Sequence, residues 1–230
     1  MNDSKDKNEK SISFSGCAWH LGYHFGVIRF IQESKIDIHH AMGASSGSLA
    51  AILLLSEVEA EKGMKLLFEM AQESKNHLLG PFGHMTRFVK RGLKELLPDE
   101  AYRHLNGRLG ISITLMPFFT NHIYPKKSLE SNNELVNLAL ASCYIPIYYE
   151  KPVLVGRRPA IDGGLSDNLP TLNKKTITVS PTPSLQSRKI HIGPPKSEEK
   201  SLKEALFPKK ETLSSLYSRG YNDARKFFED

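Results

Sequence analysis

The apolar positions of this chain switch between two spacings. Ser11-Ile12-Ser13-Phe14-Ser15 alternates with the period of two that marks a strand, and it stops at Gly16. After a loop over Cys17 to Leu21, Phe25, Ile28 and Ile31 fall on one side of a helix over 22–33. The same reading predicts a second strand over 36–42 and a helix over 46–55. A further helix over 58–75 carries Met64, Leu67, Phe68 and Ala71 on one face. Gly and Pro break residues 78–83 into a loop, and a basic helix follows over 86–97. Leu109 to Leu115 reads as a strand that pairs with residues 121–124. Residues 132–141 read as a helix, 145–149 as extended, and 158–162 as a strand leading into Gly163-Gly164. A strand over 176–180, a mobile surface loop over 181–200 and a helical pattern over 202–228 close the chain. No repeat is visible. Strands alternating with helices predict a layered α/β domain over 11–230, with 1–10 as a disordered polar tail.

Bulk properties narrow the picture. The chain has 230 residues, 40% of them hydrophobic and 24% charged, which suits one domain with a core of its own. Its net charge of +6 is compatible with nucleic acid or an anionic membrane surface. The basic clusters at 87–91, 157–158, 174–175 and 209–210 are short and carry no nucleic-acid-binding signature, so no nucleic-acid partner is expected. Cys17 and Cys143 form neither a disulfide framework nor a metal spacing, which points to a reducing, cytoplasmic setting. Residues 1–10 lack the apolar run of a signal peptide, and 49–55 is far shorter than the roughly 18 residues of a membrane span.

The candidate chemistry starts at Gly43-Ala44-Ser45-Ser46-Gly47, a G-x-S-x-G between a predicted strand and a predicted helix. That is the pattern of a nucleophile elbow, which lifts a serine Oγ out of the chain. Gly43 and Gly47 suit it because segments passing close to the serine leave no room for a Cβ. The first turn of the following helix turns its unpaired N–H groups toward a developing oxyanion. Taken alone, the pentapeptide also fits any glycine-rich strand-to-helix turn.

A serine nucleophile needs a base and oxyanion donors. Asp162, ahead of Gly163 and Gly164 at the end of a predicted strand, is one base candidate; an ordinary tight turn is the other reading. The order Ser45, Asp162, His191 gives the alternative of an α/β-hydrolase triad. The loop Gly16-Cys17-Ala18 supplies candidate backbone donors, and it lacks the residues of a nucleotide-binding P-loop.

Taken together these motifs resemble a patatin-like phospholipase domain, most closely its adipose triglyceride lipase group. The resemblance rests on Gly16-Cys17, Gly26-Val27, Gly43 to Gly47, Leu79-Gly80-Pro81, Gly107 to Ser112, Ile161 to Gly164, Ser166 to Pro170, Thr176 to Pro181 and Ala205 to Pro208, covering about Ile12 to Phe228. It implies a three-layer α/β/α fold with a central, mostly parallel sheet. It also implies a Ser45–Asp162 dyad acting through an acyl-enzyme, with no metal and no other cofactor. Gly16, Cys17 and Ala18 would form the oxyanion hole. The implied substrates are acylglycerols or phospholipids met peripherally at a membrane or lipid-droplet surface, and the acceptor is water or another alcohol. The family's loop carries glycine where this chain has Ala18 and Leu21, and Gly22 falls one place late. That departure keeps a second reading open, a catalytically impaired lipid-binding or regulatory module. Surface contact is expected from the domain itself. Phe82, Phe88, Phe118 and Phe119 with Arg87, Lys90, Arg91, Lys126 and Lys127 are candidates for it, and the core is the other reading for those phenylalanines.

Overall fold

A computed structural model describes residues 9–230. The expected tail falls largely on residues 1–8, outside the described residues. Lys10 already belongs to the fold, since its carbonyl accepts from the His39 and His40 N–H groups.

Among the described residues seven strands form one sheet. β1 (Ser11–Phe14) leads into α1 (Leu21–Glu33), then β2 (His40–Ala44) into α2 (Ser46–Leu55), α3 (Ala60–Ser74), α4 (Met85–Leu96) and α5 (Ala101–Leu105). β3 (Leu109–Leu115) and β4 (Thr120–Tyr124) precede α6 (Asn132–Cys143). β5 (Val153–Val155) and β6 (Arg158–Ile161) precede α7 (Gly164–Asp167). β7 (Ile177–Val179), α8 (Leu202–Leu206) and α9 (Lys210–Glu229) complete the chain. The four central strands, in the order β3, β2, β1, β7, run parallel; β4, β5 and β6 pair antiparallel. Helices flank this sheet. The helices that connect β1, β2 and β3 pack on one another, α1 against α2 and α3, and α3 against α4. Ser112 and Thr114 point to α7: Ser112 Oγ donates to the Asp167 carbonyl and Thr114 Oγ1 bonds Ser166 Oγ.

The core follows from the sequence alternation. Ile12, Phe14, Ile111 and Ile113 are fully buried. The opposite face of β1 is buried too, so its serines need partners. Ser11 Oγ donates to Thr176 Oγ1 and Ser15 Oγ to Ser180 Oγ, fastening β1 to the β7 segment, while Ser13 Oγ is buried without a partner among the described residues. α1 and α9 approach so closely that a Cβ on Gly26 would sit 2.0 Å from the Tyr217 carbonyl oxygen, and one on Gly220 would sit 2.0 Å from that of Tyr23.

Four expectations shift. The second strand begins at His40 rather than Ile36, because its partner β1 starts at Ser11, opposite His40. Residues 145–149 turn instead of extending, with Ile147 at φ +74°. The final helical pattern breaks at Phe207-Pro208, where proline has no N–H to continue α8. The 181–200 segment is anchored rather than loose: Ile192 is buried and bridges Val179. Among the described residues no helix is long and apolar enough to cross a membrane.

Candidate active site

The register of β3 explains how two distant residues meet. On one side of β3, Ala44 of β2 stands opposite Ser112, while Ile161 of β6 stands opposite Thr114. β4 occupies the other side over the same stretch. β2 and β6 therefore lie on one edge of β3 and run toward each other, their ends separated by two residues, or about 7 Å of strand. The residues that follow those ends are Ser45 and Asp162.

Ser45 holds φ +52° and ψ −130°, a conformation that costs a non-glycine residue about 1–3 kcal/mol. The neighbouring glycines make the turn possible. A Cβ on Gly43 would lie 2.3 Å from the Gly47 carbonyl carbon, and one on Gly47 would lie 2.1 Å from the Phe14 carbonyl oxygen. Gly163 is needed for the same reason, because its Cβ would meet the Ser112 carbonyl oxygen at 1.9 Å.

Asp162 is buried. Its N–H donates to the Tyr144 carbonyl at 2.8 Å, and its Oδ1 accepts from the Gly164 N–H at 2.7 Å. Oδ2 has no hydrogen-bond partner among the described residues. Burial raises the carboxyl pKa to about 6; the nearby Ser45 hydroxyl and the Gly164 N–H act in the opposite direction. Ser45 Oγ and Asp162 Oδ2 form no hydrogen bond in this structure.

Ser142, which sequence reasoning missed, fastens the elbow. Its Oγ donates to the Ser112 carbonyl at 2.7 Å and accepts from the Ser45 N–H at 2.9 Å. It fills the place in the ladder left open where β2 ends. Ser142→Ala should cost about 1–3 kcal/mol, because it strands a buried donor and a buried acceptor, and turnover should fall with it. Urea unfolding and a turnover assay check this; an unchanged midpoint would deny the bridge any weight. A lone serine late in a helix carries no sequence signal for this role.

The three candidate oxyanion residues lie beside Ser45 but are not equivalent. Gly16 N–H donates to Asn168 Oδ1 at 3.0 Å, and Asn168 Nδ2 donates back to the Gly16 carbonyl at 3.2 Å. Cys17 N–H donates to Ser46 Oγ at 2.9 Å. The Ala18 N–H has no acceptor among the described residues. Ala18 adopts φ +49°, the left-handed placement for which glycine is better suited, whereas Leu21 is at φ −46° and needs no glycine. The Cys17 thiol, beside buried His24, is pushed up to about 12 by burial, which leaves it an inert neighbour at neutral pH.

His191 is elsewhere. Its Nδ1 is taken by Thr178 on β7 and its ring packs on Phe227, so the Ser45–Asp162–His191 triad is not assembled. Among the described residues no group of three or more His, Cys, Asp or Glu is arranged to hold a metal ion.

Ser45 and Ala18 open into an apolar pocket of about 90 Å³. Leu49 and Leu53 continue its wall from Ser45 along one face of α2, a run of roughly 12 Å at 1.5 Å per residue. α3 and α4 close it with Leu66, Met70, Phe88 and Leu93. Phe88 is therefore core, and Phe82 is half-buried; Phe118 and Phe119 are exposed on the turn between β3 and β4.

The chain is 29% identical to human 1-acylglycerol-3-phosphate O-acyltransferase PNPLA3 over 246 residues, covering 96% of this chain and 50% of that protein. It is 32% identical to human patatin-like phospholipase domain-containing protein 2, covering 95% of this chain and 48% of that protein. The chain thus spans about half the length of these curated relatives. In fold it is similar to VipD from Legionella pneumophila, with a TM-score of 0.57 at 13% identity over 96% of this chain and 67% of that one. The family model for patatin-like phospholipase matches residues 12–173. The chain belongs to the patatin-like phospholipase family.

Proposed function

We propose that this chain is a lipid acyl-ester hydrolase acting through Ser45 and Asp162. The observation that carries the reading is the end-to-end meeting of β2 and β6. It sets a strained serine beside a buried carboxylate whose Oδ2 has no other partner, at the mouth of an apolar pocket.

The steps follow from the groups present. Asp162 Oδ2 takes the Ser45 hydroxyl proton as Oγ bonds to the ester carbonyl carbon. The carbonyl oxygen becomes an oxyanion, and the unengaged Ala18 N–H and the first turn of α2 are the donors nearest to hand. Collapse breaks the bond to the alcohol, which leaves with the proton from Asp162. The acyl chain, esterified to Ser45, lies in the pocket against Leu49 and Leu53. Asp162 then deprotonates water, which attacks the acyl carbon and restores Ser45. Acylglycerols or phospholipids are the substrates that fit: an apolar chain fills the pocket, and the polar end stays at its mouth. A second alcohol in place of water would make the same intermediate an acyl donor, and the acyltransferase name of one relative favours testing for this.

The experiment is labelling by a fluorophosphonate probe. The unmodified chain should label at Ser45, and Ser45→Ala should not label at all. Asp162→Ala should label far more slowly. A folded, unmodified chain that fails to label would overturn the hydrolase reading in favour of a lipid-binding module.

A further inference from the structure

Folding leaves five large apolar side chains exposed around one buried phenol. Tyr148 is the hub. Its hydroxyl accepts from Trp19 Nε1 at 2.8 Å and donates to the Leu206 carbonyl at 3.1 Å, and its own carbonyl accepts from the Gly83 N–H at 3.0 Å. Its ring meets the Phe82 ring edge to face, and Phe82 stacks on Phe207. These contacts tie together segments 78–83, 145–151 and 206–207, which are far apart in sequence. Each turns apolar groups outward: Leu78 is wholly exposed, Ile147 is 83% exposed, and Leu79, Ile145 and Phe207 are exposed as well. Ile145 also lines the pocket, so the patch is continuous with the mouth of the candidate active site.

Ile147 makes the arrangement hard to explain by folding alone. Its φ of +74° is one of the least tolerated placements for a β-branched residue. The side chain so placed then stands in water. The bonds of Tyr148 hold the backbone in this bend, but they do not require a large apolar side chain at position 147, where glycine would serve the fold better.

Charge identifies the occupant. Next to the patch, Lys90 and Lys94 stand one turn apart on the exposed side of α4, with Lys151 close by, and none of them makes an ion pair among the described residues. The groove between them is lined by five cations and only two carboxylates, Glu95 and Glu150. Glu150 accepts from the Thr86 and Arg87 N–H groups, which holds the 145–151 segment against the start of α4. Protruding aliphatic loop tips beside unpaired lysines suit an interfacial lipid layer; protein interfaces are depleted in lysine.

We propose that this face docks on an anionic lipid bilayer. Leu78, Leu79, Ile147 and Phe207 enter the acyl boundary, and Lys90, Lys94 and Lys151 lie among the head groups, which sets the pocket mouth against the surface. The contact gains its purpose from the ester-hydrolase reading but does not need it to be true.

The test uses flotation with phosphatidylcholine–phosphatidylserine vesicles and with pure phosphatidylcholine vesicles, in a Ser45→Ala background. Binding is thus read without turnover, and its outcome is separate from that of the labelling experiment. The Ser45→Ala chain should float with the mixed vesicles and hardly with the neutral ones. Adding Ile147→Gly should raise the melting temperature by about 2–4 °C while weakening vesicle binding about tenfold. Adding Leu78→Ser should weaken binding similarly. With Ser45 intact, Leu78→Ser should leave turnover of a short soluble ester unchanged. Lys90→Gln with Lys94→Gln should lower affinity for the mixed vesicles about thirtyfold. Unaltered flotation of the Ile147→Gly and Leu78→Ser chains would overturn the proposal. So would failure of the parent to float while Leu78→Ser abolishes self-association in sedimentation, which would assign the patch to a second copy.

Discussion

Replacing Asp162 by asparagine is expected to remove most turnover and strengthen the fold at the same time. The amide keeps the acceptor that takes the Gly164 N–H but cannot accept a proton from Ser45, so kcat should drop about 10²–10⁴-fold. Stability moves the other way because the carboxylate is buried with one oxygen unpaired. Its folded pKa of about 6 lies above the value of about 3.9 for an unfolded aspartate. Between those values the folded chain binds more protons than the unfolded one, so stability falls as pH rises from about 4 to 6 and stays low above that range. The full cost, on the order of 3 kcal/mol, applies at neutral pH. Asp162→Asn escapes it, and its advantage in urea unfolding should be greatest above pH 6 and vanish below about pH 4. The unmodified chain should show kcat/KM rising through pH 6 to a plateau, as a base that must be ionised requires. A variant that loses turnover yet is less stable than its parent at neutral pH would mean that Asp162 is a structural anchor instead.

Gly47→Ala should be one of the most damaging small changes in the molecule. The added methyl would lie 2.1 Å from the Phe14 carbonyl oxygen and 2.7 Å from that of Ser15, and both atoms belong to the backbone at the end of β1. No side chain can swing aside, so α2 must lift from the sheet and carry Ser45 with it. A loss of about 4 kcal/mol or more is expected, a large part of the roughly 5–15 kcal/mol that holds a domain together. Gly83→Ala is the control. Gly83 has φ +71° with nothing within 4 Å of a Cβ, so only the backbone preference is lost, about 1 kcal/mol. Equal melting temperatures for the two variants would show that the closeness of α2 to β1 does not limit stability.

The parts of this fold that were legible in the sequence are those set by neighbouring residues. The elbow is one: the spacing of Gly43, Ser45 and Gly47 carries its meaning within five positions, and their close approaches are the ones a Cβ forbids. The alternation of β1 and β3 is another. Asp162 was visible as an Asp ahead of two glycines, but its link to Ser45 came from family resemblance. The physical cause is the register of two strands against β3, which no local pattern records. Ser142 gave no signal, since it acts on a residue 97 positions away; Asn168 lay inside a motif of the family resemblance, but its bond to Gly16, 152 positions away, was not legible. The oxyanion loop was half legible. The misfit at Ala18 could be read directly, whereas the engagement of the Gly16 and Cys17 amides depends on Asn168 and Ser46. Residues 145–149 misled because aromatic and β-branched residues favour strands. Tyr148 is instead pinned to Trp19, Leu206 and Gly83, and the chain bends to suit those bonds.

Because β2 and β6 abut on one edge of β3, that strand acts as a ruler for the pair of residues beyond their ends. Lengthening or shortening most of this chain leaves the ruler untouched. The segments after β4 and after β7 run outside it and can grow or shrink without altering how far apart the two strand ends stand. An extra residue between Ser112 and Thr114 is different: it slides β6 by a full step and turns every following side chain of β3 to the opposite face. Among descendants of this fold, insertions and deletions should therefore accumulate in the connections outside it, and a lineage that changes the number of residues from Ser112 to Thr114 gives up the meeting of the two strand ends.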